Sequence, residues 1–465
     1  MANNDVALMG HLMRRAGFGA QYHELEARAA KGYEETVEEL LHPSEDTHGM
    51  DLDLAERYFI EWNHHIRCVP EYIAFRMVNS KSQLEEKMIL FWHGILCHTD
   101  SKNQSQIASH AEWEMLRRCG LDSFKDLLIE ISKDPAMVYF LDNCLSHKDA
   151  INENYGRELL ELFSLGVGMD GEFNYTEDDV KECARAFTGW TLANGIPPQP
   201  YGRYTSTFVY NPEDHDDGEK TFLGHTGNFN GEDIIDIILE EPATAQFIAR
   251  HLYSFFVSDE VQVPAWSVTP PADPEAVDTL AKVMIESDYD MRLTMNVLLN
   301  SDFFKAAQFT KIKNPTEVVV GTLRLVGDAE LPSPNSFEWS NQIMYMGQDL
   351  LNPPSVEGWH YGPEWVNSGL LMTRTNFVAD MLSETDRPGV RTIIDRVGGA
   401  ASSPEQLVDS CLDLLGPFEV SAITKDELVA HASTLTWSDG DKSGDEENVA
   451  GMLQLIVSTR EYMFA

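Results

Sequence analysis

The sequence predicts an all-α fold: one large helical domain wrapped round a central helical hairpin, with a small β-ribbon inserted near 200–225. Three observations lead there. Apolar residues recur three and four apart through most of the chain, which gives helices one buried face. Strand-like composition is confined to short stretches near Thr205–Tyr210 and Lys220–Leu223. The segment 152–190 contains two helical patterns with their own start and stop signals.

In the first 150 residues helix follows helix. His11-Leu12-Met13-Arg14-Arg15 precedes Gly17-Phe18-Gly19, a turn at a helix end. Further helices are predicted at about 21–40, 51–65 and 70–80, the last launched by Pro70. The next spans 84–98, with Leu84, Met88, Phe91, Trp92 and Ile95 as its buried stripe. His93 and Cys97 lie four apart on it and His98 follows. Such a pair serves the core or a cap more readily than a metal. Glu61 and His64 make an E-x-x-H of the di-iron type, but a di-iron bundle needs two copies and only one lies in a clear helix.

The hairpin is the densest polar stretch with helical spacing. Asn154, Arg157, Glu158 and Glu161 share one face of its first helix; Tyr155, Leu159, Leu162 and Phe163 share the other. Gly166 and Gly168 stop that helix. Thr176 and Asp179 open the second, whose stripe is Val180, Cys183, Ala184 and Phe187, with Arg185 beside it. The polar face admits two readings. In one it is a solvated surface where Arg157 pairs with Glu161. In the other it is a buried network or site, with Glu158 and Glu161 as acid/base groups or ligands.

Between Thr191 and Gly231 Pro, Gly, Tyr and Thr dominate, and irregular segments of this length are often functional. Its middle offers His215 with Asp214 or Asp216, either a metal or acid/base pair or a self-bonded turn. The Ca²⁺-loop pattern fails, because Gly224 stands where the bidentate Glu belongs. Helices resume at about 231–240, 243–257, 273–286, 290–305 and 315–327. The Pro-rich run 263–274 is the candidate subdomain boundary. After Pro353-Pro354, Trp359 and Trp365 could stack on a flat ligand or plug the core.

Charge narrows the function. Asp plus Glu number 76 against 34 Lys plus Arg, a formal net of −42, which repels phosphate backbones and argues against nucleic acid. The acidity is spread along the chain, as on a salt-adapted surface. Six cysteines without a CxxC fit a reduced chain. No stretch is long and apolar enough for a membrane span, and the N-terminus lacks a signal-peptide core, so a cytoplasmic location is expected.

Several of these pieces together resemble the bacterial DUF1800 family. They are HLMRRAGFG at 11–19, FWHG at 91–94, NENYGRELLELFSLG at 152–166, YTEDDVKECARAFTGW at 175–190, HDDGEKTFLG at 215–224, KNP at 313–315, and NPPSVEGW with RTNF within 352–377. The resemblance implies one long helical domain and supplies no reaction. It implies a possible partner, a sulfatase- or alkaline-phosphatase-like protein, and frequent export, for which this sequence shows no signal. It also implies which residues recur together: His93, Asn152, Asn154, Arg157, Glu158, Glu161, Arg185, His215, Asp216, Lys220, Trp359, Arg374 and Asn376.

Two functions fit these residues. The first is a hydrolase with Glu158, Glu161, His215 and His93 as catalytic groups. Asn154, Arg157, Arg185, Lys220, Trp359, Arg374 and Asn376 would bind a polar or anionic substrate. A divalent metal held by Glu158, His215 and Asp216 is a variant, and the His215 loop would then be a lid sharing a cavity with Glu158 or Glu161. The second is a non-catalytic binding or assembly protein in which the same network is structural. The charge makes a prediction independent of either: salt, by screening the self-repulsion, should raise the melting temperature markedly from low to molar salt, and a flat calorimetric response would show the acidity already neutralised locally.

Overall fold

The computed structural model describes residues 2–43, 50–61, 67–193, 206–327, 329–398, 403–435 and 442–465. Among these, 24 α-helices carry the fold, and the strands form only two-stranded ribbons. Six helices hold the buried charges and the candidate site in place: α1 (Ala2–Arg15), α2 (Gln83–His93), α3 (Asn154–Glu161), α4 (Glu177–Ala186), α5 (Pro242–Phe256) and α6 (Pro315–Val326).

Local chemistry cuts several helices shorter than their periodicity suggests. The predicted 21–40 helix breaks at Gly32, whose φ of +124° no helix contains. The 290–305 helix restarts at Ser301, which caps Asp302–Ala306. Helix α2 stops at His93, so Cys97 and His98 lie in the following loop and not on its face. Gly94 caps it, and the position admits no side chain: a Cβ there would stand 2.7 Å from Tyr361 Oη. Glu61 closes a π-helical turn, while His64, its partner in the E-x-x-H, lies outside the described residues.

The expected ribbon near 200–225 resolves into two hairpins. Trp190–Leu192 pairs with Phe208–Tyr210, and Lys220–Phe222 pairs with His225–Gly227. Thr205 lies outside the described residues. A third ribbon, Gly168–Met169 with Glu172–Phe173, joins α3 to α4. Its turn is Asp170-Gly171, both at positive φ, the dipeptide that tight hairpins favour.

One hydrophobic cluster runs from Val6 to Met463. Buried charges pass through its middle and meet at Glu317, in the first turn of α6. Its Oε1 accepts from Arg15 Nη1 at 3.1 Å and from Lys87 Nζ, and its Oε2 accepts the Asn314 N–H at 2.8 Å in a capping box. Arg15 donates further to the carbonyls of Phe255 and Phe256 at the end of α5, and Lys87 to Gly17 O at 2.9 Å. Thus α1, α2, α5 and α6 converge on one carboxylate. Lys311 adds bonds to Ser254 O and Asp259 Oδ1, both 2.9 Å.

Burial alone would raise the Glu317 pKa, but Lys87, Arg15 and Lys311 outweigh it and hold the group at about 2. Lys87 moves down too, to about 8, because burial opposes its charge and one carboxylate answers it where three cations answer Glu317. Glu317→Gln should strand Arg15 and Lys87 in the core and cost about 3–5 kcal/mol in denaturant unfolding. A loss below about 1 kcal/mol would remove the hub role, since surface pairs cost that little. The carboxylate's contribution is complete above its ordinary 4.5 and should fade as pH falls towards about 2, a window to be read from acid-unfolding curves.

Candidate active site

Helices α3 and α4 form the predicted hairpin. Tyr155, Leu159 and Leu160 bury one side of α3, and Asn152 Oδ1 accepts the Asn154 N–H at 3.0 Å to start it. Thr176 and Asp179 form the capping box of α4. The two helices touch at Gly156, where a Cβ would stand 3.1 Å from Ala184 N and 3.2 Å from Val180 O. A larger residue would part them.

Arg157 turns outward. Its Nη1 and Nη2 each donate to Glu177 at 2.8 Å, with Glu153 at 3.6 Å, so the i,i+4 pair with Glu161 expected from spacing does not form. Glu161 Oε2 instead accepts from Tyr175 Oη at 3.3 Å. Asn154 is exposed. Glu158, half-buried, is pushed up to about 7 by burial first and by the charges of Glu161 and Glu357, with Arg157 opposing. A carboxyl in that position can give or take a proton near neutrality.

Glu161 and Glu357 both line a cavity of about 510 Å³. Asn174, Gln246, Phe247, Arg250 and Trp266 contribute to its wall. Arg250 lies 4.4 Å over the Trp266 ring and donates through Nε to Glu260 at 2.7 Å. Glu260 Oε1 also accepts the Ala272 N–H at 2.6 Å, so the Pro-rich connector is fastened to α5. His360 reaches Glu357 through Nε2 at 3.3 Å and Glu364 through Nδ1 at 3.0 Å. A narrower cavity of about 30 Å³ shares Glu357 and Trp266 with the first and extends to His251 and Trp359. Sequence reasoning missed Glu357, His360, Arg250 and Trp266. The Pro-Pro loop that carries Glu357 was visible, but no spacing relates it to Glu161.

The other sequence candidates lie in three places. Around α4, Arg185 binds Asp216 twice, Nε to Oδ2 at 2.7 Å and Nη2 to Oδ1 at 3.2 Å, and its Nη1 binds Glu182 at 2.7 Å. Asp216 is drawn down to about 2, by Arg185 above all. Lys220 Nζ donates to the carbonyls of Asp216 and Gly218 at 2.5 and 3.1 Å. His215 is buried, its Nδ1–H donating to Thr188 O at 2.9 Å and its ring set against Tyr210. The loop is sewn to the end of α4, and His215 is not in the wall of the cavity that Glu161 lines.

His93 lies in a second place, fully buried among Trp113, Trp359 and His98. Its Nε2 accepts the Leu351 N–H at 3.2 Å, and burial holds its pKa far below the usual range. Trp359 and Trp365 are each 4% exposed, which fits the core-plug reading. The third place is the helix Ser368–Ser383, where Arg374 Nη1 donates to Lys313 O, just ahead of α6, at 2.7 Å. Asn376 is exposed and lines a separate cavity of about 500 Å³. Among the described residues no three His, Cys, Asp or Glu side chains converge as metal ligands, so Glu158, His215 and Asp216 do not make the set the sequence suggested. His215 and Asp216 are held by Thr188 and Arg185 instead.

Comparison with known families supports the resemblance carried by the sequence motifs. The model of the family described as "Protein of unknown function (DUF1800)" matches residues 11–464, so the chain belongs to that family. Neither the curated proteins nor the solved structures include a match.

The raised Glu158 pKa has a stability consequence. A carboxyl whose folded pKa exceeds its ordinary 4.5 favours the fold while protonated and loses that contribution as pH rises through about 7. Glu158→Gln should therefore gain melting temperature relative to wild type between pH 5.5 and 8.5. A constant difference across that range would place Glu158 among ordinary surface carboxylates.

Proposed function

We propose that this DUF1800 protein is a hydrolase working by carboxylate acid–base chemistry on a polar substrate without net negative charge. The observation that supports this is Glu158, a carboxyl held near neutrality one helical turn from Glu161. Glu161 and Glu357 line the cavity of about 510 Å³, and Glu158, outside its lining, feels the charges of both. In this reading Glu158 protonates the leaving group while Glu161, fixed by Tyr175, takes a proton from the attacking water. Asn174 and Gln246 bring amide groups to the wall and Trp266 an aromatic one, a lining suited to hydroxyl-rich or amide substrates.

The substrate charge is set by where the cations are committed. Arg157 is held by Glu177, Arg185 by Asp216 and Glu182, and Lys220 by two carbonyls. Arg250 faces Glu260. An anionic substrate would meet Glu161 and Glu357 without a free basic side chain from this set.

A panel of chromogenic glycosides, esters and amides, in neutral and anionic versions, tests the reading. The neutral versions should turn over, with an alkaline limb in kcat/KM near pH 7. Glu158→Gln and Glu161→Gln should each lower kcat about 10²–10⁴-fold. Turnover confined to anionic substrates, or full activity in both variants, would refute it.

A further inference from the structure

The chain is acidic by 76 residues to 34, yet its most enclosed charges are mainly basic. Near the start of α6 lie Arg14, Arg15, Lys87, Lys311, Lys313 and Arg374, none more than 9% exposed. Glu317 answers Arg15 and Lys87, and Asp259 answers Lys311. Among the described residues, Arg14, Lys313 and Arg374 bond only main-chain carbonyls: Gly416 O, Tyr462 O at 2.7 Å and Lys313 O at 2.7 Å respectively.

The two arginines leave the same edge open. Each commits Nη1 to a carbonyl, and each keeps Nε and Nη2 buried with no acceptor among the described residues. That edge carries two parallel N–H groups, which match two oxygens of one oxyanion. Aromatic rings answer part of the charge. Arg14 lies 5.0 Å from both Phe309 and Phe418, and Lys313 lies 4.7 Å over Phe418 and 3.9 Å over Tyr462. A ring face attracts a cation but does not accept the in-plane N–H bonds of a guanidinium stacked on it.

Arg14 and Lys313 also line one cavity of about 60 Å³ with Glu317, Phe418 and Tyr462. A water occupies about 10–15 Å³ of such space, so a group of several atoms fits. Glu317 borders the cavity with both oxygens engaged, Oε1 by Arg15 and Lys87 and Oε2 by the Asn314 N–H. We propose that this cavity binds one free inorganic oxyanion, phosphate or sulfate, between Arg14 and Lys313, with Arg374 adding to the positive field. Burial lowers Arg14 to about 9 and Arg374 to about 10, and carries Lys313 far below the usual lysine range. A bound anion would raise all three. The site shares no wall residue with the Glu161 cavity and does not rest on the proposed hydrolysis.

Isothermal titration of the full chain with inorganic phosphate, at ionic strength fixed with sodium chloride, tests the proposal. One saturable site per chain is expected, at least tenfold weaker in Arg14→Gln and at least tenfold weaker for glycerol phosphate, which the small cavity should exclude. No saturable binding, undiminished binding by folded Arg14→Gln, or tighter binding of the ester would overturn it. Should Arg14→Gln fail to fold, wild-type crystals grown with selenate decide the matter. An anomalous peak between Arg14 and Lys313 supports the site, and selenate found only elsewhere refutes it.

Discussion

A single buried carboxylate sets the terms of this fold. Glu317 gathers Arg15 from α1, Lys87 from α2 and the cap of its own helix, while Arg15 reaches on to the last carbonyls of α5. None of these charges could be enclosed alone, because an unpaired buried ion costs several kcal/mol. Together they fix how four helices meet, and the apolar faces close round them. Helix ends are involved as much as side chains. The Phe255 and Phe256 carbonyls lie at the end of α5, where they lack partners within the helix, and Arg15 supplies them.

The same logic, applied to the hairpin, decides which charged groups are paired and which are not. Arg185 is drawn to Asp216 and Arg157 to Glu177, so neither neutralises Glu158. Its carboxyl then answers to burial and to two like charges, and rises. The loop carrying His215 and Lys220 is held down by the bonds these two side chains make to main-chain carbonyls. Side chains of the kinds used in catalysis here mostly hold loops in place, while Glu158 makes no ion pair among the described residues.

Charge is thereby sorted by depth. The acidic excess lies largely outside, where water and salt screen it, and a cationic cluster lies within. Arg14 and Lys313 rest against Phe309, Phe418 and Tyr462, so aromatic faces serve where, among the described residues, no carboxylate pairs with them directly.

Short-range chemistry was legible from the residues alone. The helical class, the hairpin 152–190, the Thr176 cap and the helix 231–240 all rest on periodicity and capping, which act within a few residues. Even the missed Asp170-Gly171 turn carried a local signal. Why position 94 must be glycine was not legible: Tyr361, far along the chain, occupies the place a side chain there would take. The site divides in the same way. The spacing of Glu158 and Glu161 put two carboxylates on one helix face, but the meeting of Glu161 with Glu357 and Trp266 depends on tertiary contacts. The partner each arginine takes was decided there too. Arg157 chose Glu177 across the hairpin over Glu161 on its own helix, since only the assembled hairpin offers it both oxygens at once.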